Sequence, residues 1–334
     1  MNGVTIIICC FNSVKRLPET LNHLKSQVVS ENIPWEVIVV DNASTDGTGD
    51  KAKELWGELP GVPFQVVHEP KQGLIHARIT GYKSARYEFM SFIDDDNWIA
   101  PDWVSIVYEK MIQNPEVAVL GGSSTPVFES DPPPWFDQFQ YGYGVGSQAE
   151  SEGILPYGKI LWGTGAHRRS AWKLIFDRGF SPVLIGRKGK KLLAGEDNEI
   201  AYMLLLAGWK FLYDPNLVFQ HYIPSSRLNW RYVCRMSRGY GHAQIYIQHY
   251  LRIIKHRTIF RIKYLKEIVF DILCLLKHPI ALFYGINFMK EGDLEVLKVN
   301  ALIGQLEERV SQLHMMDHKI KLINSQTEPY LNKR

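Results

Sequence analysis

Four short apolar segments, each followed by a polar cluster and then by helix-forming residues, fill most of the first 93 residues of the chain. They span residues 4–10, 35–40, 64–67 and 89–93. Continuous apolar runs rich in β-branched residues are typical of strands that are covered on both faces. Helical segments are expected between them at 17–27, 50–56 and 75–85. Strictly alternating strands and helices predict an α/β fold, an open and mostly parallel sheet with helices on both faces.

The composition narrows the class of protein. With 334 residues and 46% hydrophobic content, the chain can build a substantial core. A net charge of only +3 argues against a dedicated nucleic-acid binder, so no nucleic-acid partner is expected. The four cysteines lack metal-binding spacing, and the N-terminus shows no signal-peptide pattern. We therefore expect a cytoplasmic protein.

Polar clusters follow three of the predicted strands at the point where each strand ends. Asn12 and Ser13 follow the first strand, residues 41–46 the second, and Asp94, Asp95 and Asp96 the fourth. Ligands of open α/β sheets bind beyond the carboxyl ends of the strands. The sequence therefore predicts that these side chains converge on one crevice.

Three adjacent carboxylates at the mouth of a buried strand repel one another unless a cation lies nearby. A divalent metal is the simplest such cation, and hard oxygen ligands suit Mg²⁺ or Mn²⁺. The alternative is a solvated acidic turn, or a helix N-cap before Ala100.

Two later segments carry further candidates. A second acidic cluster, Glu196 to Glu199, precedes an apolar helical run, where it either caps the helix or acts with the upstream Lys188, Lys190 and Lys191 in a loop that closes over phosphates. The aromatic, glycine-rich segment 131–157 is expected to stack on sugars or to pack on its own domain. A strand over 209–219 then leads to His221.

These motifs together resemble those of the family-two glycosyltransferases, inverting enzymes of the GT-A fold that use nucleotide-sugar donors. The resemblance covers about residues 4–227 and rests on five stretches of sequence. They are Ile8-Cys9-Cys10-Phe11-Asn12, the segment from Val40 to Thr48, the segment from Gly73 to Arg78, Asp94-Asp95-Asp96, and Glu196-Asp197.

The resemblance assigns roles residue by residue. It places Asn12 in the nucleotide-binding strand motif, Asp41 at the nucleotide base and Arg78 near the nucleotide. It makes Asp96 the direct metal ligand, with Asp94 or Asp95 near the ribose, and Asp197 of the Glu196-Asp197 pair the catalytic base. His221 is expected to reach the metal or the diphosphate. His167 departs from the family pattern, in which small apolar residues often precede the basic pair.

The implied reaction is transfer of a sugar from a nucleotide donor, usually UDP, to a hydroxyl of a glycan or lipid-linked acceptor. The implied setting is bacterial surface polysaccharide synthesis, in the cytoplasm or at the inner face of its membrane. The implied cofactor is Mn²⁺ or Mg²⁺. Two alternatives are a sugar nucleotidyltransferase, although its glycine-rich loop is absent after the first strand, and a non-catalytic sugar-nucleotide-binding scaffold. The missing G-x-G-x-x-G disfavours a nicotinamide-dependent oxidoreductase.

The C-terminal third has two distinct patterns. Basic residues alternate with apolar ones from Tyr250 to Lys266, and apolar helical segments follow. This pattern predicts either an interfacial contact with an anionic membrane or a helical subdomain packed on the core. From Val296 to Ile320 apolar residues repeat every three and four positions, which predicts a coiled coil between copies or one docked helix. We therefore divide the chain into a catalytic domain (1–228), a basic and apolar helical segment (229–290) and an amphipathic helix (291–334).

Overall fold

The structure is a computed structural model that describes residues 1–57, 61–188, 192–259 and 264–331. Lys190 and Lys191, part of the expected phosphate-closing loop, lie outside the described residues, as do Arg261 and Lys263 of the basic segment.

The first seven elements follow the predicted alternation of strand and helix. They are β1 (Val4–Cys10), α1 (Leu17–Lys25), β2 (Trp35–Asp41), α2 (Thr48–Trp56), β3 (Phe64–His68), α3 (Leu74–Ser84) and β4 (Phe89–Asp94). β1 pairs in parallel with β2 on one side and with β4 on the other, and β2 pairs in parallel with β3. Because β1 is covered on both faces, six of its seven residues are buried.

The next ten elements complete the sheet and its helical layers. They are β5 (Asn97–Ile99), α4 (Trp103–Gln113), β6 (Val117–Phe128), α5 (Phe136–Phe139), β7 (Gly146–Ser147), β8 (Gly153–Ile154), β9 (Gly165–Arg168), α6 (Arg169–Asp177), α7 (Glu196–Leu206) and β10 (Lys210–Ile223). Residues 214–217 form a bulge within β10, and the strand continues through His221. Asp214 is buried at this bulge and pairs with Lys110 at 2.9 Å.

The strand order is β3-β2-β1-β4-β9-β6-β10-β5, with β7 paired to β6 and β8 to β10. β9 lies antiparallel between β4 and β6, and β5 lies antiparallel to β10. β1, β2, β3, β4, β6 and β10 therefore share one direction, and their carboxyl ends lie along one edge. The prediction of a mostly parallel sheet flanked by helices, with a helical C-terminal part, is confirmed.

In its described ranges the C-terminal part contains the helices α8 (Trp230–His256), α9 (Tyr264–Leu276), α10 (Pro279–Asn287), α11 (Leu294–Ser311) and α12 (Leu313–Thr327). The expected single helix over 291–334 is instead two helices that meet at Gln312. Of its repeating apolar residues, Val296, Val299 and Ile320 are buried within this chain. The division into three domains and self-association through this segment remain predictions.

The described helices differ from bilayer-crossing segments in length or hydropathy. Within the described ranges, no single helix is long and apolar enough to cross a membrane. The pair formed by Leu265–Leu276 and Pro279–Asn287 has that length and composition only when taken together, and the two helices are bent by 93°.

Candidate active site

The acidic turn after β4 is held against the end of β10. The N–H of Tyr222 donates to the Asp96 carbonyl at 2.8 Å, and His221 lies opposite Asn97 in the register between β10 and β5. This pairing brings His221 Nε2 to 3.6 Å from Asp96 Oδ1. Asp96 and His221 therefore lie side by side at this edge, and the expected contact of His221 with a metal or a diphosphate remains a prediction.

Asp95 is bound by groups from the loop and helix that follow β1. Arg16 donates to both of its carboxylate oxygens, at 3.2 and 2.6 Å, and the Ser13 hydroxyl donates to it as well. Thr20 Oγ1 donates to the Asp95 backbone carbonyl at 2.9 Å. Asp95 therefore fixes the start of α1 to the end of β4.

Asp96 is paired with a different arginine. Arg227 Nη1 donates to Asp96 Oδ2 at 2.9 Å. Burial favours the neutral acid, but the charges of Arg227 and His221 outweigh burial and hold the pKa of Asp96 below its usual range. Asp94 behaves in the opposite way, because burial and the neighbouring Asp96 raise its pKa despite Arg78. Of the three carboxyl groups of this turn, Asp96 is therefore the one with a lowered pKa.

Glu196 and Asp197 occupy the first turn of α7, where the helix dipole favours negative charge. Asp197 Oδ2 accepts a hydrogen bond from the Gly163 N–H at 3.0 Å, and Oδ1 accepts one from the Asn198 N–H at 2.8 Å. Glu196 is buried, and Arg78 Nη2 lies 3.9 Å from its Oε1. Burial and the charge of Asp197 outweigh Arg78 and raise the pKa of Glu196 to about 7.

The loop before α7 passes close to the start of α3. The N–H groups of Leu74 and Ile75 donate to the carbonyls of Arg187 and Ile185, each at 3.2 Å. Between them, Gly186 has a φ of +71°, and a Cβ there would lie 2.5 Å from the Glu196 carboxylate. Only glycine fits this position without strain. The backbone at 185–187 thus covers Glu196 and connects α7 to α3.

Two cavities meet at this edge of the sheet. One, of about 480 Å³, contains Glu196, Asp197 and Arg78, and its wall includes the aromatic side chains Tyr141 and Trp162. The other, of about 400 Å³, is lined by Asp95, Asp96, the neighbouring arginines and the ends of β1 and β2. The cavities share four lining residues, which are Leu74, Asp94, Arg187 and His221. We name them the Asp197 cavity and the arginine cavity.

Asn12 and Asp41 lie beside these cavities, in the loops after β1 and β2. The N–H of Thr45 donates to Asn12 Oδ1 at 2.8 Å, and the N–H of Ser44 donates to Asp41 Oδ1 at 3.1 Å. Neither residue is among those that line the two cavities. In the described part of the chain these side chains therefore organise the loops, and their expected contacts with a nucleotide remain predictions.

The sequence did not identify Arg16 and Arg187 as part of this site. Arg16 does carry a signal, because it stands at the N-terminus of α1, where the helix dipole disfavours a cation unless a carboxylate is close. Arg187 lies in an irregular segment without periodicity and has no comparable signal.

The aromatic segment 131–157 mostly packs within the chain, against the C-terminal helices. Trp135, Phe136, Phe139 and Tyr143 are buried in one cluster with Trp230 of α8. Tyr141 is exposed instead and meets the Trp162 ring edge-on at 5.0 Å. Of the two expected roles, packing therefore accounts for four of these rings, and Tyr141 remains available in the Asp197 cavity.

A metal site formed by protein ligands alone is not apparent. Among the described residues, no group of three or more His, Cys, Asp or Glu side chains is arranged to hold an ion. Arginines neutralise the acidic turn in the way that we had expected of a metal. Cys9 also lines the arginine cavity, but burial raises the pKa of its thiol to about 12, which makes it a poor nucleophile.

Curated proteins of similar sequence match this chain either along most of its length or over about a third of it. Succinoglycan biosynthesis protein ExoM of Rhizobium meliloti is 26% identical over 252 residues, 72% of this chain and 74% of that protein. Putative glycosyltransferase EpsH of Bacillus subtilis is 35% identical over 101 residues, which are 30% of this chain. The chain aligns with only 28% of EpsH and 15% of glycosyltransferase GlyA of Streptococcus pneumoniae.

Solved structures share the fold along nearly the whole chain. The mannosyltransferase PcManGT from Pyrobaculum calidifontis, in complex with GDP-Man and Mn²⁺, gives a TM-score of 0.55 at 17% identity and covers 99% of this chain and 88% of that one. S. aureus TarS 1-349 in complex with UDP-GlcNAc gives the same score and identity, with 98% and 90% covered. These neighbours establish a GT-A fold.

The family model described as "Glycosyl transferase family 2" matches residues 5–175, just over half of the chain. The matched region runs from β1 to the middle of α6 and includes the acidic turn. The chain belongs to glycosyl transferase family 2.

Proposed function

We propose that the protein transfers a sugar, with inversion, from a UDP-linked donor to a hydroxyl of a glycan or lipid-linked acceptor. The setting would be synthesis of a bacterial surface polysaccharide, in the cytoplasm or at its membrane face. ExoM is named for succinoglycan biosynthesis, and a TarS structure contains UDP-GlcNAc, which supports both the setting and the donor class.

The observation that carries the proposal is the shared wall of the two cavities. The arginine cavity offers the side chains of Arg16, Arg187 and Arg227 to a diphosphate, and guanidinium groups bind such oxyanions well. The Asp197 cavity adjoins it at Asp94 and His221. A nucleotide diphosphate in the first cavity would therefore place its sugar in the second, facing Asp197.

Asp197 is suited to accept a proton from the acceptor hydroxyl. Hydrogen bonds from two backbone N–H groups fix its carboxylate, and each oxygen keeps a lone pair for a further partner. One base acting on one attacking hydroxyl gives a single displacement, hence inversion, with no covalent nucleophile. A positioned base of this kind contributes about 10²- to 10⁴-fold in rate.

His221 of the shared wall and Asp96 of the arginine cavity also suit a hard cation. Asp96 Oδ1 and His221 Nε2 lie 3.6 Å apart, and Arg227 binds the other carboxylate oxygen. Two protein ligands fit Mg²⁺ or Mn²⁺, which usually complete their shell with water and substrate phosphates. When bound, such an ion would neutralise the leaving diphosphate. Arg227 would hold Asp96 in place and contribute its own charge.

The test combines donor binding with turnover. Wild type, Asp96→Ala and Asp197→Asn are compared across a panel of nucleotide sugars with and without Mn²⁺, by calorimetry and by release of nucleotide. Asp96→Ala should lose metal-dependent donor binding. Asp197→Asn should bind the donor as wild type does but lose transfer by about 10²- to 10⁴-fold.

Asp50→Asn, an exposed change on α2, is the matched control for loss of a carboxylate. Full transfer by Asp197→Asn would refute the base assignment, and unchanged metal-dependent binding by Asp96→Ala would refute the metal role. Donor binding without turnover for any acceptor would favour the sugar-nucleotide-binding scaffold instead.

A further inference from the structure

The helices α9 and α10 carry a large exposed apolar surface. Its ten members are Leu265, Val269, Phe270, Ile272, Leu273, Leu276, Ile280, Phe283, Ile286 and Met289. Phe270 is 62% exposed and Ile280 is 69% exposed. A surface of this kind on a monomer marks an interaction site. We name these ten residues the α9–α10 face.

The polarity of α9 is reversed relative to that of an ordinary surface helix. Its two acids point inward, where Asp271, only 2% exposed, pairs with Arg309 of α11. Arg309 also donates to Glu267 at 2.8 Å. Phe270 and Leu273, on either side of Asp271, point outward. Ion pairing thus fixes the orientation in which α9 exposes its apolar residues.

The charges that remain around the face are basic. Residues 265–290 contain two acids, the inward-facing Glu267 and Asp271, and three exposed lysines. Lys290 pairs with Asp293 at 2.9 Å, which leaves Lys266 and Lys277 as the basic charges beside the apolar residues. Lys266 lies near the start of α9, and Lys277 directly follows its end. Lysines beside an apolar surface complement a layer of anionic lipid headgroups.

The geometry points to a lipid bilayer as the partner: we propose that the α9–α10 face inserts into the interface of an anionic membrane. Taken together, the two helices have the length and composition of a membrane segment, but their 93° bend favours an interfacial position. A second copy of the chain would need a complementary rigid surface, and two helices at this angle offer no continuous parallel seam. Fluid lipid adapts to such a corner.

The face is firmly attached to the rest of the protein. Trp230 Nε1 donates to the Met289 carbonyl at 3.1 Å, and Trp135 Nε1 donates to Glu291 at 3.1 Å. Both rings belong to the cluster that contains Tyr143, a residue of the Asp197 cavity. Insertion of the face would therefore hold that cavity at a set orientation relative to the bilayer.

Flotation of the 334-residue chain with vesicles tests the proposal without reference to catalysis. One set of vesicles contains phosphatidylcholine alone, and the other contains phosphatidylcholine with phosphatidylglycerol. We expect wild type to float with the anionic set. The double change Phe270→Glu and Phe283→Glu should reduce partitioning by at least about tenfold, because apolar area and charge both set interfacial affinity.

Two further variants separate the apolar and electrostatic contributions. Lys266→Gln and Lys277→Gln should each weaken binding to anionic vesicles by about fivefold. Val28→Glu, at an equally exposed apolar residue outside the face, is the control and should float as wild type does. Circular dichroism confirms that each variant is folded.

Failure of wild type to float with anionic vesicles would overturn the proposal. So would equal flotation of wild type and the Phe270→Glu, Phe283→Glu variant. Light scattering in the absence of lipid tests the alternative partner. If wild type does not float and is a dimer that this variant converts to a monomer, the face is an interface between copies of the chain.

Discussion

Glu196 offers a quantitative test of the electrostatics of the site. It is 5% exposed, and burial together with Asp197 raises its pKa from 4.5 to about 7, despite the nearby Arg78. Because the folded state binds this proton more tightly than the unfolded state, the associated stability is fully present below pH 4.5 and is lost as the pH rises through about 7. At about 1.4 kcal/mol for each pKa unit, the loss amounts to about 3 kcal/mol.

The perturbation is Glu196→Gln, which keeps the shape of the side chain and removes its ionisation. The free energy of unfolding is measured by urea denaturation from below pH 4.5 to above pH 7 for the variant and for wild type. As the pH rises across this window, the free energy of unfolding of the variant should increase by about 3 kcal/mol relative to that of wild type. Taking the difference between the two proteins cancels the contribution of other groups, including Glu199, whose pKa burial also raises to about 7.

Glu54→Gln, on the exposed side of α2, is the control and should show no comparable step. A difference between Glu196→Gln and wild type that stays constant with pH would refute the reasoning. A difference that falls with pH would show that Arg78, and not burial, dominates the ionisation of Glu196.

Two further predictions concern stability. Gly186→Ala should lower the free energy of unfolding by more than Gly179→Ala. Both positions have positive φ and share a backbone strain of about 1 kcal/mol, but only at Gly186 would a Cβ meet the Glu196 carboxylate. Equal losses of stability in thermal denaturation would contradict this contact. Arg309→Met should cost about 3 to 5 kcal/mol in urea denaturation, because it leaves Asp271 buried without its partner. The double change Arg309→Met with Asp271→Leu should recover much of this loss, and no recovery would mean that Arg309 acts through packing alone.

Most of the sheet was predictable because its signals are local. A buried strand such as β1 shows as a continuous apolar run, and a helix such as α3 begins where a glycine ends the preceding loop. Convergence of the polar clusters after β1, β2 and β4 was predicted from one rule, that parallel strands end at the same edge. His221 was added to this set only by the family resemblance. These predictions needed no knowledge of which strands are neighbours.

The strand β9 could not be predicted from local sequence signals. Its four residues, Gly165–Arg168, have no alternating pattern, and their place between β4 and β6 depends on long-range contacts. Gly165 is required there because a Cβ would lie 2.5 Å from the Leu120 carbonyl. Two residues earlier, Gly163 presents its N–H to Asp197. The segment that leads into this strand thus positions the proposed base.

The arginines around the acidic turn interact with its three aspartates in different ways. The sequence predicted that these carboxylates need a cation, and the chain itself supplies guanidinium groups. Arg16 binds both oxygens of Asp95 and fixes that side chain, whereas Arg227 binds one oxygen of Asp96 and leaves the other facing His221.

Asp94 differs because it lies on the wall between the cavities, with a pKa that burial and Asp96 raise. A cation or a sugar hydroxyl that reaches this wall would meet a carboxyl group whose charge is only partly compensated by Arg78. Asp94 is therefore the acid of the turn that a bound donor would meet from either cavity, because Arg16 and Arg227 already bind Asp95 and Asp96.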